Sequence, residues 1–87
     1  FSINDAPMGS EIRARGELSV KIEAAGVTKI ERIDLVREGE TVRSFEPGMQ
    51  YFSTNITVNK AGTSTWYYLR LKLAEDHAAW SSPIWIN

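Results

Sequence analysis

Large side chains alternate from Thr65 to Leu73, and this is the feature that most constrains the fold. One face of an extended strand would carry Tyr67, Leu69, Leu71 and Leu73, and the other would carry Trp66, Tyr68, Arg70 and Lys72. A second largely apolar run, Ala79 to Ile86, follows after a polar loop from Glu75 to Ala78. A period of two is typical of β-strands. The two runs therefore predict a β-hairpin at the end of the chain.

The predicted register of this hairpin follows from a four-residue loop over Glu75 to Ala78. It places Leu73 opposite Trp80 on the core face and Tyr68 opposite Trp85 on the other face. All apolar positions agree in this register, and a slip of one residue would separate them. We therefore expect Trp80 in the core and Trp85 outside it.

A second alternating segment, Glu17 to Ala24, predicts a half-buried strand with Leu18, Val20, Ile22 and Ala24 on its core face. Gly26 is expected to end this strand. The next strand spans residues 28–37, where Ile33 and Leu35 share a face and Ile30 is out of phase with them. A bulge near Glu31 or Arg32 would restore the phase.

Further turns and strands follow. The sequence Arg37-Glu38-Gly39-Glu40 predicts a two-residue hairpin loop, since Gly accepts the positive φ such loops require. Leu35 would then face Val42 in the core, and Asp34 would face Arg43 outside. A strand from Met49 to Val58 places Phe52, Ile56 and Val58 in one phase, and a turn is expected at 59–62. Residues 1–15 predict a strand broken by Pro7 and Gly9, lying along a sheet edge.

These elements predict an all-β fold. Roughly six or seven short strands separated by turn signals are typical of an antiparallel β-sandwich of immunoglobulin or fibronectin type III character. The 87 residues suffice for one domain, residues 1–87. The chain starts at Phe1 rather than Met, so we expect a domain excised from a larger protein.

Charge and composition narrow the possible partners. Ten Lys and Arg are interspersed with eleven Asp and Glu, giving a net charge of −1. Binding to nucleic acid or to an anionic membrane needs a concentrated excess of basic residues, so neither partner is expected. The longest apolar run, Trp66 to Leu69, is far shorter than the roughly 20 residues of a membrane helix.

Catalytic and metal-binding residues are not predicted. His77 is the only histidine and there is no cysteine, so a metal would lack further nitrogen or sulfur ligands. Ser81 and Ser82 lie outside any G-x-S-x-G motif, and general acid and base groups do not cluster. We predict that the chain is not an enzyme and holds no cofactor.

The candidate interface is the outward set of side chains in the closing hairpin: Trp66, Tyr68, Arg70 and Trp85. Exposed aromatic residues beside an arginine are typical of binding surfaces. The alternative is that another strand or the first segment of the chain covers these rings, since Trp in a small sandwich is often internal.

A family resemblance rests on the same hairpin. The run from Tyr67-Tyr68-Leu69-Arg70 to Ala79-Trp80-Ser81-Ser82-Pro83-Ile84-Trp85-Ile86 resembles the carboxyl-terminal end of metal-dependent phosphoesterases of the polymerase-and-histidinol-phosphatase (PHP) type. Pro7-Met8-Gly9 and Ile33-Asp34-Leu35-Val36-Arg37 are also similar to that family. Some of its members carry a small β-rich domain after the catalytic barrel.

The resemblance implies a non-catalytic accessory domain that packs on the preceding catalytic domain of the same chain, or helps to position its substrate. The family's metal ligands lie in His-x-His-type clusters on the barrel, and this chain has none, so no catalytic residue is carried over. A second hypothesis is a carbohydrate- or surface-binding module that uses Trp66, Tyr68 and Trp85 as a stacking platform.

Overall fold

The computed structural model describes residues 1–59 and 64–87, which form one nine-stranded sheet. The strands are β1 (Ser2–Ile3), β2 (Ala6–Pro7), β3 (Glu11–Ile12), β4 (Glu17–Arg37), β5 (Glu40–Phe45), β6 (Met49–Asn59), β7 (Thr65–Leu73), β8 (Ala78–Trp80) and β9 (Ile84–Ile86). A single 3-10 turn, Ala74–Asp76, is the one helical element in the described residues. The all-β prediction is confirmed. Pairing is antiparallel except between β3 and β9, which are parallel.

β4 is the central strand of the sheet, and it bends. Its 21 residues would span about 70 Å if straight, whereas the longest dimension of the molecule is 38 Å. The pairing of β4 with β6 shifts register between Ala25 and Ile30, at the bend. The predicted strand end at Gly26 is therefore wrong, because the strand continues through a bend. The predicted bulge is confirmed: pairing with β7 shifts between Ile30 and Arg32.

Both edges of β4 carry partner strands, whereas residues 26–29 pair with no described strand. At Ile30 the strand pairs with β6 and β7 at once, so these two lie on opposite edges. β5 lies opposite β7 and β1 lies opposite β6. One edge of β4 therefore carries β5 and β6, and the other carries β1 and β7. The bent sheet folds around one core and closes nearly into a barrel.

The core is filled by the inward residues of both halves of the bent sheet. Its buried members are Ile3, Leu18, Val20, Ile22, Ala24, Ile30, Ile33, Leu35, Tyr67, Leu69, Ile84 and Ile86. The predicted core face of the segment Glu17 to Ala24 is confirmed. Phe52, Ile56 and Val58 share one phase of β6 as predicted and pack against the core while staying half-buried.

The first segment was predicted as one broken strand along a sheet edge, but it forms three two-residue strands, of which β2 and β3 lie at edges and β1 lies between β2 and β4. β2 pairs with β1 at one end of the strand order, and β3 pairs with β9 at the other. Of the turn expected at 59–62, residues 60–62 lie outside the described ranges.

The hairpin between β4 and β5 has the predicted two-residue loop. Arg37 pairs with Glu40, and Glu38 and Gly39 have φ values of 49° and 87°. Positive φ at both central positions defines the type I′ turn that suits the twist of the strands. The predicted pairs beyond it are wrong, because Val42 is an extra residue between Thr41 and Arg43. Leu35 therefore faces Arg43, and Asp34 faces Ser44.

The closing hairpin has a different register from the predicted one. Glu75 and Asp76 have positive φ in the 3-10 turn, and Leu73 N donates to His77 O at 2.8 Å, which shortens the loop. Trp80 consequently faces Arg70 on β7. The predicted core position of Trp80 is wrong: its side chain points away from the core and is 64% exposed.

Residues 81–83 interrupt the strand and shift the register once more. Beyond them Tyr67 faces Ile84 and Thr65 faces Ile86, so Tyr67, Ile84 and Ile86 are buried as predicted. Leu69 N donates to Ser81 Oγ at 2.8 Å, and Ser81 N donates to Leu69 O at 2.9 Å. The interruption thus keeps the Leu69 backbone hydrogen-bonded while changing the pairing.

Candidate functional site

The candidate site is the outer face of the sheet formed by β4, β5, β7, β8 and β9, and we refer to it as the outer face. On β7 this face consists of the predicted set Trp66, Tyr68 and Arg70, followed by Lys72. The cross-strand pairs add Asp34 opposite Arg70, Val36 opposite Tyr68, Trp80 opposite Arg70 and Trp85 opposite Trp66. The structure therefore places all four predicted interface residues on one face.

Three aromatic rings form a cluster at one end of the outer face. Trp66 stacks on Tyr68 with ring centroids 5.9 Å apart and an interplanar angle of 15°. Trp66 also contacts Trp85 at 5.9 Å, with the rings tilted by 53°. Trp66 and Tyr68 are half-buried, and Trp85 is 47% exposed. The predicted pairing of Tyr68 with Trp85 is wrong, because Trp66 is the residue opposite Trp85.

These rings shield the sheet beneath them. Val36 lies on the same face, directly opposite Tyr68, and is fully buried. Each ring thus covers part of the sheet and leaves the rest of its own surface exposed to solvent. We call Trp66, Tyr68 and Trp85 the aromatic cluster.

The middle of the outer face holds an ion cluster around Asp34. Asp34 Oδ1 accepts hydrogen bonds from Arg32 Nε at 2.7 Å and from Ser44 Oγ at 2.6 Å. Asp34 Oδ2 accepts from Arg70 Nη2 at 3.0 Å and from Arg70 Nε at 3.3 Å. Arg70 Nη2 also donates to Thr41 Oγ1 at 3.3 Å. Arg70 is thereby fixed in position across three strands.

The surroundings of Asp34 lower its pKa. The residue is only 5% exposed, and burial by itself would raise the pKa of the carboxyl group. Hydrogen bonds from Ser44, Arg32 and Arg70 favour the ionised form and outweigh that effect, so the pKa lies below its usual value. The hydrogen bond and the charge of Asp34 in turn raise the pKa of Arg32. Asp34 is therefore ionised at neutral pH and forms ion pairs with Arg32 and Arg70.

A shallow cleft of about 400 Å³ separates this ion cluster from the loop before β8. Its lining includes Arg32, Arg70, Lys72, His77 and Trp80. Most of the positive charge is already balanced: both guanidinium groups contact Asp34, and Lys72 Nζ lies 3.9 Å from Glu31. The cleft therefore extends the surface beside Trp80 without forming a strongly charged pocket.

Sequence reasoning missed Trp80 as a member of this face, and it missed the burial of Asp34, which it had placed on the outside. Asp34 was expected on an exposed face, but Arg70 on β7 and Ser44 on β5 cover it from both sides. Trp80 was placed inside because the loop was predicted over residues 75–78, whereas the observed loop spans residues 74–76 and changes the register. A signal for Trp80 was present in the Ser81-Ser82-Pro83 sequence, which is typical of an interrupted strand.

No group of three or more His, Asp or Glu residues within residues 1–59 and 64–87 is arranged to hold a metal ion. His77 lies exposed in the loop before β8. Among the described elements, no helix has the length and apolar character required to cross a membrane.

Three curated proteins from Chlamydia align with the whole chain over 105 residues each. The sequence identity with this chain is 32% for the Chlamydia muridarum protein, 30% for the Chlamydia trachomatis serovar D protein and 28% for the Chlamydia pneumoniae protein. Each is described as an uncharacterized protein. The chain spans 17% of the length of each of these relatives. No protein-family model and no solved structure matches the chain significantly.

Proposed function

We propose that the chain is a non-catalytic accessory β domain of a larger protein, and that the aromatic cluster packs against another part of that protein. The observation that carries the proposal is the alignment: the whole chain matches, yet it spans only 17% of each relative. Domains within longer polypeptides are compact units that have their own hydrophobic core, and this chain has such a core.

The aromatic cluster supports an interface on physical grounds. Trp85 exposes 47% of its surface beside two half-buried rings, and contiguous exposed apolar surface is typical of contact sites. Arg70, held by Asp34 and Thr41, adds an arginine in a fixed geometry. Trp, Tyr and Arg are the residues enriched at the energetic centres of interfaces.

The proposal has two finer parts. The larger protein is a PHP-type metal-dependent phosphoesterase, and its catalytic barrel precedes this domain; the support is the similarity of the closing hairpin to that family. The domain itself is a sandwich of immunoglobulin or fibronectin type III character; the support is a bent, mostly antiparallel sheet around one core.

An activity assay separates these parts. The 87-residue chain and the full-length Chlamydia trachomatis relative would be assayed with a chromogenic phosphodiester in the presence of Mn²⁺, Zn²⁺ or Mg²⁺. We expect turnover by the full-length protein and none by the chain. Turnover by the pure chain would overturn the accessory role, and an inactive full-length protein with all three metals would overturn the PHP assignment alone.

The interface is tested in the longer protein that contains this chain. Replacement of Trp85 by Ser should expose the contact to protease and increase hydrogen exchange on the opposing surface. Trp80→Ser is the matched control, since Trp80 is also an exposed indole on the outer face but lies outside the aromatic cluster. Equal behaviour of the two variants would contradict an interface at the cluster.

The second candidate is a carbohydrate- or surface-binding module. Trp85 and Trp80 both expose much of their indole surface, which favours stacking on a flat ligand. Titration of the isolated chain with soluble β-linked oligosaccharides, followed by tryptophan fluorescence, tests this role. Quenching that disappears in Trp85→Ala would support it, and no spectral change at millimolar sugar would exclude those ligands.

A further inference from the structure

β6 is a long edge strand without the usual protection against pairing. Among the described residues, β6 pairs with β4 only, so no described strand hydrogen-bonds to its outer edge. It runs for 11 residues, Met49–Asn59, and contains no charged residue and no proline. Natural proteins normally blunt such an edge with a charge, a proline, a bulge or a very short strand.

The other sheet edges in the described chain are protected in these ways. β5, which continues the same edge of the sheet, carries Glu40 and Arg43. β2 has two residues and includes Pro7, and β3 and β8 have two and three residues. β6 is thus the exception, and this contrast within one molecule makes it a candidate interaction edge.

The side chains of β6 are incompletely covered on both faces. On the inner face Phe52, Ile56 and Val58 pack against the core but remain half-buried, whereas the facing residues of β4 are at most 9% exposed. On the outer side Met49 is 54% exposed and Tyr51 is 57% exposed. Another strand placed along this edge would bury apolar surface on both faces.

We propose that β6 pairs antiparallel with β6 of a second copy of this chain, forming a two-fold symmetric dimer with a continuous sheet. The strand is self-complementary when Thr54 lies on the two-fold axis. Phe52 then faces Ile56 of the second copy, Tyr51 faces Thr57, and Ser53 faces Asn55. Apolar, aromatic–β-branched and Thr–Thr cross-strand pairs are all favourable, and a neutral strand brings no like charges together.

This surface is separate from the aromatic cluster. β6 and β7 lie on opposite edges of β4, so pairing through β6 leaves Trp66, Tyr68 and Trp85 available. On the order of ten new backbone hydrogen bonds would form between two strands of this length. The dimer does not depend on the proposed accessory role, and either can fail without the other.

The test is sedimentation of the intact chain combined with a charge-pair rescue. One variant carries Ser53→Lys and Asn55→Lys, and the other carries Ser53→Glu and Asn55→Glu. Both positions on β6 are exposed, so these substitutions do not change the core. We expect the wild-type chain to sediment at twice the chain mass, with each variant alone shifted to monomer by at least a tenfold weaker association. An equimolar mixture of the two variants should restore the dimer.

The matched control carries Thr57→Lys and Asn59→Lys, which adds the same charge to the same strand. In the proposed register these lysines face the neutral residues Tyr51 and Met49, so we expect much less weakening. Circular dichroism confirms that each variant retains its β-sheet. A wild-type chain that is monomeric at millimolar concentration, or a mixture that fails to associate, would overturn the proposal.

Discussion

Arg70 lies directly opposite Asp34 on the neighbouring strand, and Arg70 Nη2 donates a 3.0 Å hydrogen bond to Asp34 Oδ2. The two residues are 36 positions apart in the sequence. Their contact therefore exists only when β4 and β7 are paired, and it links the stability of the sheet to the ionisation of one carboxyl group.

We expect stability to fall in acid because of Asp34. Its folded-state pKa is lowered, so its contribution is present above the unfolded pKa of about 3.9 and is lost as the pH falls through the lower folded value. Asp34→Asn should reduce the free energy of unfolding at pH 7 by about 1–3 kcal/mol and flatten the acid dependence. Urea denaturation at several pH values measures both effects. The control is Asp76→Asn at an exposed turn position, which should leave the free energy of unfolding at pH 7 unchanged.

Trp66 and Trp85 should be energetically coupled. Their rings are in contact at 5.9 Å, and such aromatic pairs contribute about 0.5–1.5 kcal/mol beyond their burial. A double-mutant cycle with Trp66→Ala and Trp85→Ala measures this term from urea unfolding. The same cycle with Trp80→Ala and Trp85→Ala should give no coupling, because the facing positions on β7 are about 13 Å apart. Coupling of equal size in both cycles would contradict the pairing.

Ser81 should matter more than its neighbour Ser82. Ser81 Oγ accepts a 2.8 Å hydrogen bond from the Leu69 amide where the strand pairing is interrupted. Removing an acceptor from a buried amide costs about 1–3 kcal/mol, so Ser81→Ala should lower the free energy of unfolding by that amount. Ser82→Ala, at an exposed position, should be near neutral. Equal losses would show that the hydroxyl of Ser81 is not the acceptor that matters.

Gly26 should resist substitution because the bend of β4 leaves no space for a side chain. A Cβ atom there would lie 2.8 Å from Leu73 Cδ2 and 2.9 Å from the Thr28 carbonyl oxygen. We expect Gly26→Ala to cost about 1–3 kcal/mol, measured by thermal unfolding. Adding Leu73→Ala should not restore stability, because the backbone oxygen remains. Val27→Ala, at the exposed neighbouring position, is the control.

The strands that depend on alternation were predictable from the sequence. The core face from Leu18 to Ala24, the loop at Glu38 and Gly39, and the bulge near Arg32 all follow from periodicity or turn chemistry, which act locally. The prediction that Trp66, Tyr68 and Arg70 share one face of β7 was also correct, because alternation alone decides which side chains of a strand share a face.

The errors arose where a local rule met an irregularity. An extra residue at Val42 and a shortened loop before His77 each changed a register that had been predicted from regular pairing beyond the loop. Trp80 moved from the predicted core to the surface for this reason. The burial of Asp34 depends on Arg70 and Ser44 from two other strands, and that arrangement is a tertiary property which no local pattern contains.

The central position of β4 has a consequence for how this chain folds. Four other strands, β1, β5, β6 and β7, need β4 as their partner, and neither half of the bent sheet encloses the core by itself. Most of these pairings join residues far apart in sequence, and such topologies fold slowly, on a scale of milliseconds to seconds. We therefore expect a single cooperative folding step, and we expect its rate to be set by the docking of β7 onto a β4–β5 hairpin that forms earlier.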